Sequence, residues 1–591
     1  MHIVARIKPL IATTLSHLYS EPVTVEELTI NSTKPEFEGD YTLVLFGLVK
    51  KLKQSPEQLG ENIGAALTRE HAELFVSFNV IKGFLNLTIR DEYWLQFLAD
   101  NFENPLFGTQ PKRGKKVMVE YSSPNTNKPL HLGHLRNIFL GWSVAEMLKQ
   151  SGYEVIKSCV VNDRGIHICK SMIAWQLFAN GETPESRQLK GDHFVGDYYV
   201  KFNDAYKQEV NNLMAGGMTK EEAEKEAPIM KATQQMLLDW EAGKPEVIKL
   251  WNKMNGWVYE GFDKTYQKIG ADFQKTYYES KTYLLGKQFV EEGLHLGVFF
   301  KKEDGSIWID LSEDGLDQKL VLRKDGTSVY ITQDLGLAQQ KFDEFNYDQS
   351  IYVIADEQNY HMKVLQLILQ KLGKPYATGI YHLSYGMVEL PSGRMKSREG
   401  TVVDADDMVD EMIKVAQQKT EELGKVKDFT PEELDTLYHQ LALGALKFFL
   451  LRVDPKKKMI FNPEESIDFQ GFTGPFVQYT HARISSVLRK EKPVAGLNAG
   501  TSLLKEEKEL LVLLEQYPAI LEQAVAEHNP SVVAIYAFSI AKNFNSFYTA
   551  LSIMNAESSE KKQLRLRIAA TTAQVIKSAM AQLGIQVPER M

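Results

Sequence analysis

Residues 117–161 restrict the fold of this chain more than any other stretch. A β-rich run, VMVEYSS (117–123), leads into the polar segment SSPNTNKPLHLGHLRN (122–137). A helical pattern then runs from about His131 to Gln150, where Ser151-Gly152 ends it, and YEVIKSCVV (153–161) follows. Strand, loop, helix and strand in that order make a βαβ unit, which implies parallel strands and a right-handed crossover.

The same alternation returns far downstream. SVYIT (328–332), a helix around Leu335–Phe345, SIYVIA (350–355), a helix from about Met362 to Leu372 and GIYHLSYGMVEL (379–390) read as the second half of one parallel sheet. Between the halves, the charged stretch from 184 to about 285 shows no strand alternation and reads as a helical insertion. Upstream, helical patterns over 3–19, 39–53 and 56–69 precede the strands ELFVSFNV and GFLNLTI, and PKRGKK (111–116) looks like a linker. From about 432 onward the pattern is helical almost throughout.

The expected class is therefore α/β. A Rossmann-type parallel sheet is split by a helical insertion and flanked by a small N-terminal α/β domain and a C-terminal all-α bundle. The expected divisions are 1–110 for the N-terminal domain, 111–185 and 286–392 for the sheet halves, 186–285 for the insertion, 393–431 for a basic loop and its sequel, and 432–591 for the bundle. At 591 residues there is room for several cores.

Composition narrows the function classes. Hydrophobic content of 43% and charged content of 25% suit a soluble globular chain. No apolar run approaches the roughly 20 residues that span a bilayer. The two cysteines, Cys159 and Cys169, form no CxxC pair, which argues against a disulfide framework or structural zinc and fits a reducing compartment. A net charge of −9 argues against a general nucleic-acid coat protein but leaves room for a local basic groove. The first twenty residues lack acids, as a presequence does, yet Ile3, Ile7, Leu10, Ile11, Leu15 and Leu18 fall near helical spacing and read as a domain's first helix.

Two segments carry chemistry. His131-Leu132-Gly133-His134 sits where the first strand hands over to a helix, and a helix N-terminus is a ready phosphate site. Histidines three apart share one face of the first turn, where they can donate to a triphosphate as charge builds. Gly133 leaves backbone against which a base or ribose can lie. Alone, such a pair is also compatible with surface decoration or half a metal site. The second segment, GRMKSREGTVV (393–403), is a glycine-flanked loop with Arg394, Lys396 and Arg398. It can steady a leaving pyrophosphate, or it is an ordinary solvated turn.

Together with YITQD, YVIADEQNYH, FVQYTHARISSVLRK and the terminal LGIQVPERM, these segments resemble the arginyl-tRNA synthetases, a class I aminoacyl-tRNA synthetase family, over essentially the whole chain. The resemblance implies ATP-dependent attachment of L-arginine to tRNA(Arg) through arginyl-adenylate. It implies ATP binding by His131, Gly133, His134, Met395, Lys396 and Arg398, with Lys128, His131, His134 and Lys396 catalytic. RMKSR has one lysine where the class pattern has two, and Lys128 is the expected source of the missing charge. Mg²⁺ is expected on the ATP phosphates, with no metal site of the protein's own. Glu120, Asn125, Tyr330, Asp334 and Gln358 match the arginine ligands, and a planar guanidinium is best held by carboxylates in forked geometry.

For tRNA, Tyr479 and Tyr548 match anticodon-binding helices but would look the same as core tyrosines. Phe37 and Tyr41 are candidates in the N-terminal domain, although Thr42-Leu43-Val44-Leu45 depart from the family's polar pattern there. The family's habit of requiring tRNA before activating arginine, a monomeric state, a cytoplasmic location and no membrane partner complete the expectation. Another HxGH nucleotidyltransferase and a non-catalytic tRNA-binding paralogue are the competing readings.

Overall fold

The structure is a computed structural model that describes residues 2–34, 36–389, 391, 403–422, 424, 428–494 and 501–591. Its centre is a five-stranded parallel sheet built from β1 (Lys116–Glu120), β2 (Glu154–Val161), β3 (Lys275–Tyr278), β4 (Gln349–Ala355) and β5 (Ile380–Tyr385), in the order β5-β4-β1-β2-β3. The chain builds outward from β1 through β2 to β3, then returns to the other side of β1 with β4. Loops leaving β1 and β4 therefore diverge, which opens a crevice at their carboxyl ends, where ligands bind in sheets of this kind.

Helix α1 (Leu132–Gln150) crosses from β1 to β2 and is buried along nearly its whole length. Two polar side chains in its second turn fix the crevice. The Asn137 Oδ1 accepts from Ser122 N–H at 2.7 Å, and its Nδ2 donates to the Val353 carbonyl at 2.7 Å, tying the β1 loop to β4. Arg136, 2% exposed, donates to the carbonyls of Leu450 (3.1 Å), Pro455 (3.2 Å) and Lys457 (2.9 Å) and contacts the Met459 sulfur. Pro455 O also accepts from Gly386 N–H, and Met459–Ile460 pairs in parallel with Val388–Glu389. One guanidinium thus holds the strand that follows β5 against the start of α1.

The insertion contains Pro184–Arg187, α2 (Gly191–Ala215), Lys220–Glu226, Pro228–Glu241 and Pro245–Ile269. It ends at Ile269, not near 285, because Lys275–Tyr278 is the sheet's edge strand β3. Four residues are too few for alternation to show. SVYIT is likewise not a strand. Tyr330 opens helix α3 (Tyr330–Phe345), whose Ile331, Leu335 and Ala338 bury one helical face. The expected helix over 39–53 divides into the strand Tyr41–Val44, paired with Phe84–Ile89, and a short helix Phe46–Leu52. A three-stranded antiparallel sheet (Phe299–Lys301, Ile307–Ile309, Lys319–Leu322) went unread in the sequence.

The C-terminal bundle includes α4 (Pro431–Leu451) and α5 (Gly474–Lys490). The N-terminal helix Ile3–Tyr19 buries Ile3, Ile7, Ile11 and Leu15 as a domain element. This domain docks on the bundle through polar contacts: Lys508 pairs with Asp40 (3.0 Å) and Asp91 (3.4 Å), and Glu515 accepts from Ile3 N–H at 2.5 Å.

Arg136→Met keeps the side chain's bulk but strips its donors. The expected cost is about 1–3 kcal/mol for each carbonyl left without a donor, read as a lower urea midpoint. An unchanged midpoint would contradict the pinning role.

Candidate active site and nucleic-acid interface

His131 is the N-cap of α1, and the two histidines cap the helix reciprocally. His131 Nδ1 accepts from Gly133 N–H at 3.1 Å, and His134 Nδ1 accepts from His131 N–H at 3.1 Å, with ring centroids 3.9 Å apart. With both Nδ1 atoms accepting, each neutral ring carries its proton on Nε2, a hydrogen-bond donor. Burial, aided by the nearby Lys128, lowers His131 to about 3, and burial lowers His134 well below the usual value. The pair is therefore neutral at pH 7. Gly133 has a further reason to be glycine: a Cβ there would meet the His131 ring at 3.0 Å.

The segment that follows the basic loop closes on this turn. Leu132 N–H donates to Val403 O at 3.1 Å and Ala405 N–H to Leu130 O at 3.0 Å, with His131 and Asp404 bridged between them. Met395, Lys396 and Arg398 themselves lie outside the described residues. Between this turn and α2 lies a cavity of about 190 Å³ lined by Lys128, His131, His193, Tyr199 and Asp404. His193, raised to about 10 by its hydrogen bonds to Asp404 and Asp406, is a charged partner for those carboxylates at 3.1 and 3.5 Å. Lys190 lies between Asp192 (3.0 Å) and Asp406 (2.5 Å). Asp192, His193 and Asp406 are close enough to hold a metal ion. Their negative charge is already matched by an ammonium and an imidazolium, and a protonated imidazole cannot ligate a metal.

The expected arginine ligands are placed unequally. Asp334, on α3, meets His361 at 2.6 Å and is partly open to solvent. Gln358 is exposed at the start of the helix Asn359–Lys371, Tyr330 is 74% exposed, and Asn125 is bridged to Asn162 beyond β2. Glu120 differs from expectation. It is 6% exposed and forms an ion pair with the fully buried Lys341, so its charge is already matched inside the protein. Lys341 also lies over the Tyr352 ring at 4.4 Å. Sequence reading missed Glu279, at the carboxyl end of β3, whose carboxyl is raised by burial while it interacts with Arg164, Asp163 and Asp334. Asp163 itself is fully engaged by Tyr259 (2.8 Å) and Ser280 (2.7 Å).

A second site lies on the bundle. Tyr479 and Tyr548 both lie near the Arg483 guanidinium, 5.0 and 5.6 Å from the two rings. They line a cavity of about 330 Å³ with Arg489, Lys490, Arg590 and Met591. Aromatic faces with interleaved cations suit splayed nucleobases and phosphates. The arginines sat in quoted segments but only the fold shows that they face the tyrosines. Tyr41 is corrected: it is 1% exposed, packed beneath the bundle near Glu515, and presents no face to RNA. Phe37 is 39% exposed.

Comparison with known proteins decides the family. The chain matches "tRNA synthetases class I (R), catalytic domain" over residues 99–462, "Arginyl tRNA synthetase N terminal domain" over 5–89 and "DALR anticodon binding domain" over 477–591. It is 51% identical to the arginine–tRNA ligase of Flavobacterium psychrophilum, covering 99% of both chains. It is 52% identical to that of Amoebophilus asiaticus, covering 96% of both. The chain belongs to the arginyl-tRNA synthetase family. The arginyl-tRNA synthetase structure from Thermus thermophilus shares its fold with a TM-score of 0.79 at 23% identity, covering 99% of this chain and 100% of that one. No helix among the described residues is long and apolar enough to cross a membrane.

The neutral histidines set a pH expectation. Between the ordinary value of 6.5 and about 3, the unfolded chain binds a proton at His131 that the folded one refuses, so this contribution to stability rises with pH across that window. Carbon-13 spectra of labelled histidine should show no His131 titration between about pH 5 and 8. A midpoint inside that range would contradict the buried neutral cap.

Proposed function

We propose that the chain joins L-arginine to tRNA(Arg) in two steps. The observation that supports this reading is the pair of neutral histidines capping a helix at the sheet's ligand crevice, in a chain about half identical to arginine–tRNA ligases over nearly its whole length. An oxygen of the arginine carboxylate attacks the α-phosphorus of ATP, and pyrophosphate departs with the bridging electron pair. A terminal ribose hydroxyl of the tRNA then attacks the carbonyl carbon of arginyl-adenylate, and AMP leaves. No side chain forms a covalent bond; the protein orients the reactants and stabilises charge.

The Nε2–H groups of His131 and His134, the N-terminus of α1 and Lys128 hold the phosphates, and Mg²⁺ enters with them as part of the substrate. Met395, Lys396 and Arg398 complete the nucleotide site. Asp334 and Glu279 hold the guanidinium, with Tyr330 at the mouth and Asn125 and Gln358 on the amino-acid end. Glu120 acts indirectly, through its pair with Lys341. The anticodon loop occupies the Tyr479–Arg483–Tyr548 cavity, with Phe37 a further contact. The protein works as a monomer in the cytoplasm and activates arginine only with tRNA bound.

ATP–pyrophosphate exchange tested with all twenty amino acids, with and without tRNA, should respond to arginine alone and only with tRNA present. Exchange with another amino acid, or none from folded protein, would overturn the reading. Asp334→Asn and Glu279→Gln should each raise KM for arginine about 100-fold while KM for ATP moves little; unchanged arginine affinity would remove them from the pocket. Tyr479→Ala should weaken tRNA binding by about 1–3 kcal/mol in a filter assay, and equal affinity would make that ring structural.

A further inference from the structure

From Gln582, the last residue of the helix Ser559–Gln582, to Met591 the chain forms a strap whose carbonyls are taken one after another by side chains from three helices. Gln582 O accepts from Ser143 on α1 at 2.7 Å, and Gly584 O from Lys447 on α4 at 2.7 Å. Gln586 O accepts from Gln478 (2.7 Å), Pro588 O from His481 Nδ1 (3.0 Å) and Glu589 O from Arg489 (2.8 Å), all on α5.

The Lys447 link is the costly one. Lys447 is 5% exposed, has no carboxylate partner among the described residues, and burial lowers it to about 8. Its ammonium lies 5.3 Å from the Phe139 ring and 5.8 Å from the Trp142 ring, both on α1. Gly584 adopts φ +68°, and a Cβ there would lie 3.1 Å from both the ammonium and the Trp142 ring. Filling this space with an apolar side chain would avoid the desolvation of a charge. What the lysine adds is a directed bond from α4 to the strap, made against the flank of α1.

The strap's far end reaches the second site. Arg590 and Met591 line the basic cavity with Tyr479, Arg483 and Tyr548. Arg590 is steadied by the Asp428 carbonyl at 3.0 Å and the Phe429 ring at 4.4 Å. On α5, Tyr479 and Arg483 face the cavity while their neighbours Gln478 and His481 hold the strap. The other end of this connected path is α1, which begins at the His131 cap.

We propose that the strap transmits occupancy of the basic cavity to α1, and that Lys447 is the positioning residue where it engages that helix. The proposal rests on the aminoacylation reading and adds to it a route from anticodon to catalysis. Its test uses the full-length protein, a tRNA(Arg) transcript and a transcript with its anticodon replaced. At saturating RNA, the wild type should charge the replaced transcript with a kcat at least about tenfold lower. In Lys447→Met that anticodon penalty should fall below about threefold, with Kd for the native transcript within about twofold of wild type. Lys447→Arg, which keeps a donor, should restore the penalty, and Gly584→Ala should reduce it from the strap side.

A penalty of wild-type size in Lys447→Met and Gly584→Ala would overturn the proposal. Should Lys447→Met fail to fold, Trp142 supplies a separate readout. An anticodon stem–loop should change the emission of the wild type but not of Trp142→Phe, and an identical change in both would overturn the route. Failure of the wild type to charge either transcript would sink the aminoacylation reading instead, and the Trp142 comparison would still decide whether the cavity and α1 communicate.

Discussion

The reciprocal cap of His131 and His134 is the interaction on which the rest of the site depends. It satisfies N–H groups at the start of a helix that is buried on nearly every side, and it fixes both imidazole tautomers without any external partner. Everything near the crevice is then referred to that turn. Asn137 sets the distance between the β1 loop and β4, and Arg136 holds the strand after β5. The chain at Val403–Ala405 is paired directly onto the cap. Neutral rings suit this place, because two buried imidazolium ions 3.9 Å apart would repel each other and Lys128 as well.

The insertion is bound to the same region by charge rather than by apolar packing alone. Lys190 and His193, at the start of α2, meet Asp404 and Asp406 on the segment that pairs with the cap. Lys268, near the end of the insertion's last helix, reaches Asp410 at 2.7 Å. An element interposed between the two sheet halves thus returns to the capped turn at His131, so α2 and the insertion's last helix are held by one short acidic stretch.

What the sequence disclosed follows from physics that acts locally. The α1 signal was long, periodic and punctuated at both ends, so its start at His131 and finish at Gln150 were legible. Tyr41–Val44 and Lys275–Tyr278 are too short to carry a period, and the β-branched look of Val329-Tyr330-Ile331-Thr332 hid a helix start. Side-chain roles were legible only where the backbone itself supplied the partner, as at the cap. Glu120 is engaged by Lys341, more than two hundred residues away, and Tyr41 is packed beneath the bundle, neither legible from local sequence. Glu279 gave no local signal, and the pairing of Arg483 with Tyr548 joins separate helices. Nothing described bears on Met395, Lys396 or Arg398.

The Glu120–Lys341 pair sets the electrical balance of the crevice. Three carboxylates, Glu120, Asp334 and Glu279, lie around the carboxyl ends of the strands, and like charges gathered there repel one another. The fully buried Lys341, paired with Glu120, takes that carboxylate out of the repulsion. Asp334 and Glu279 are left facing the crevice, beside His361 and Arg164 respectively. A visiting cation there shares its carboxylates with groups the protein already supplies. The buried lysine thus leaves two open carboxylates at the crevice where the chain places three.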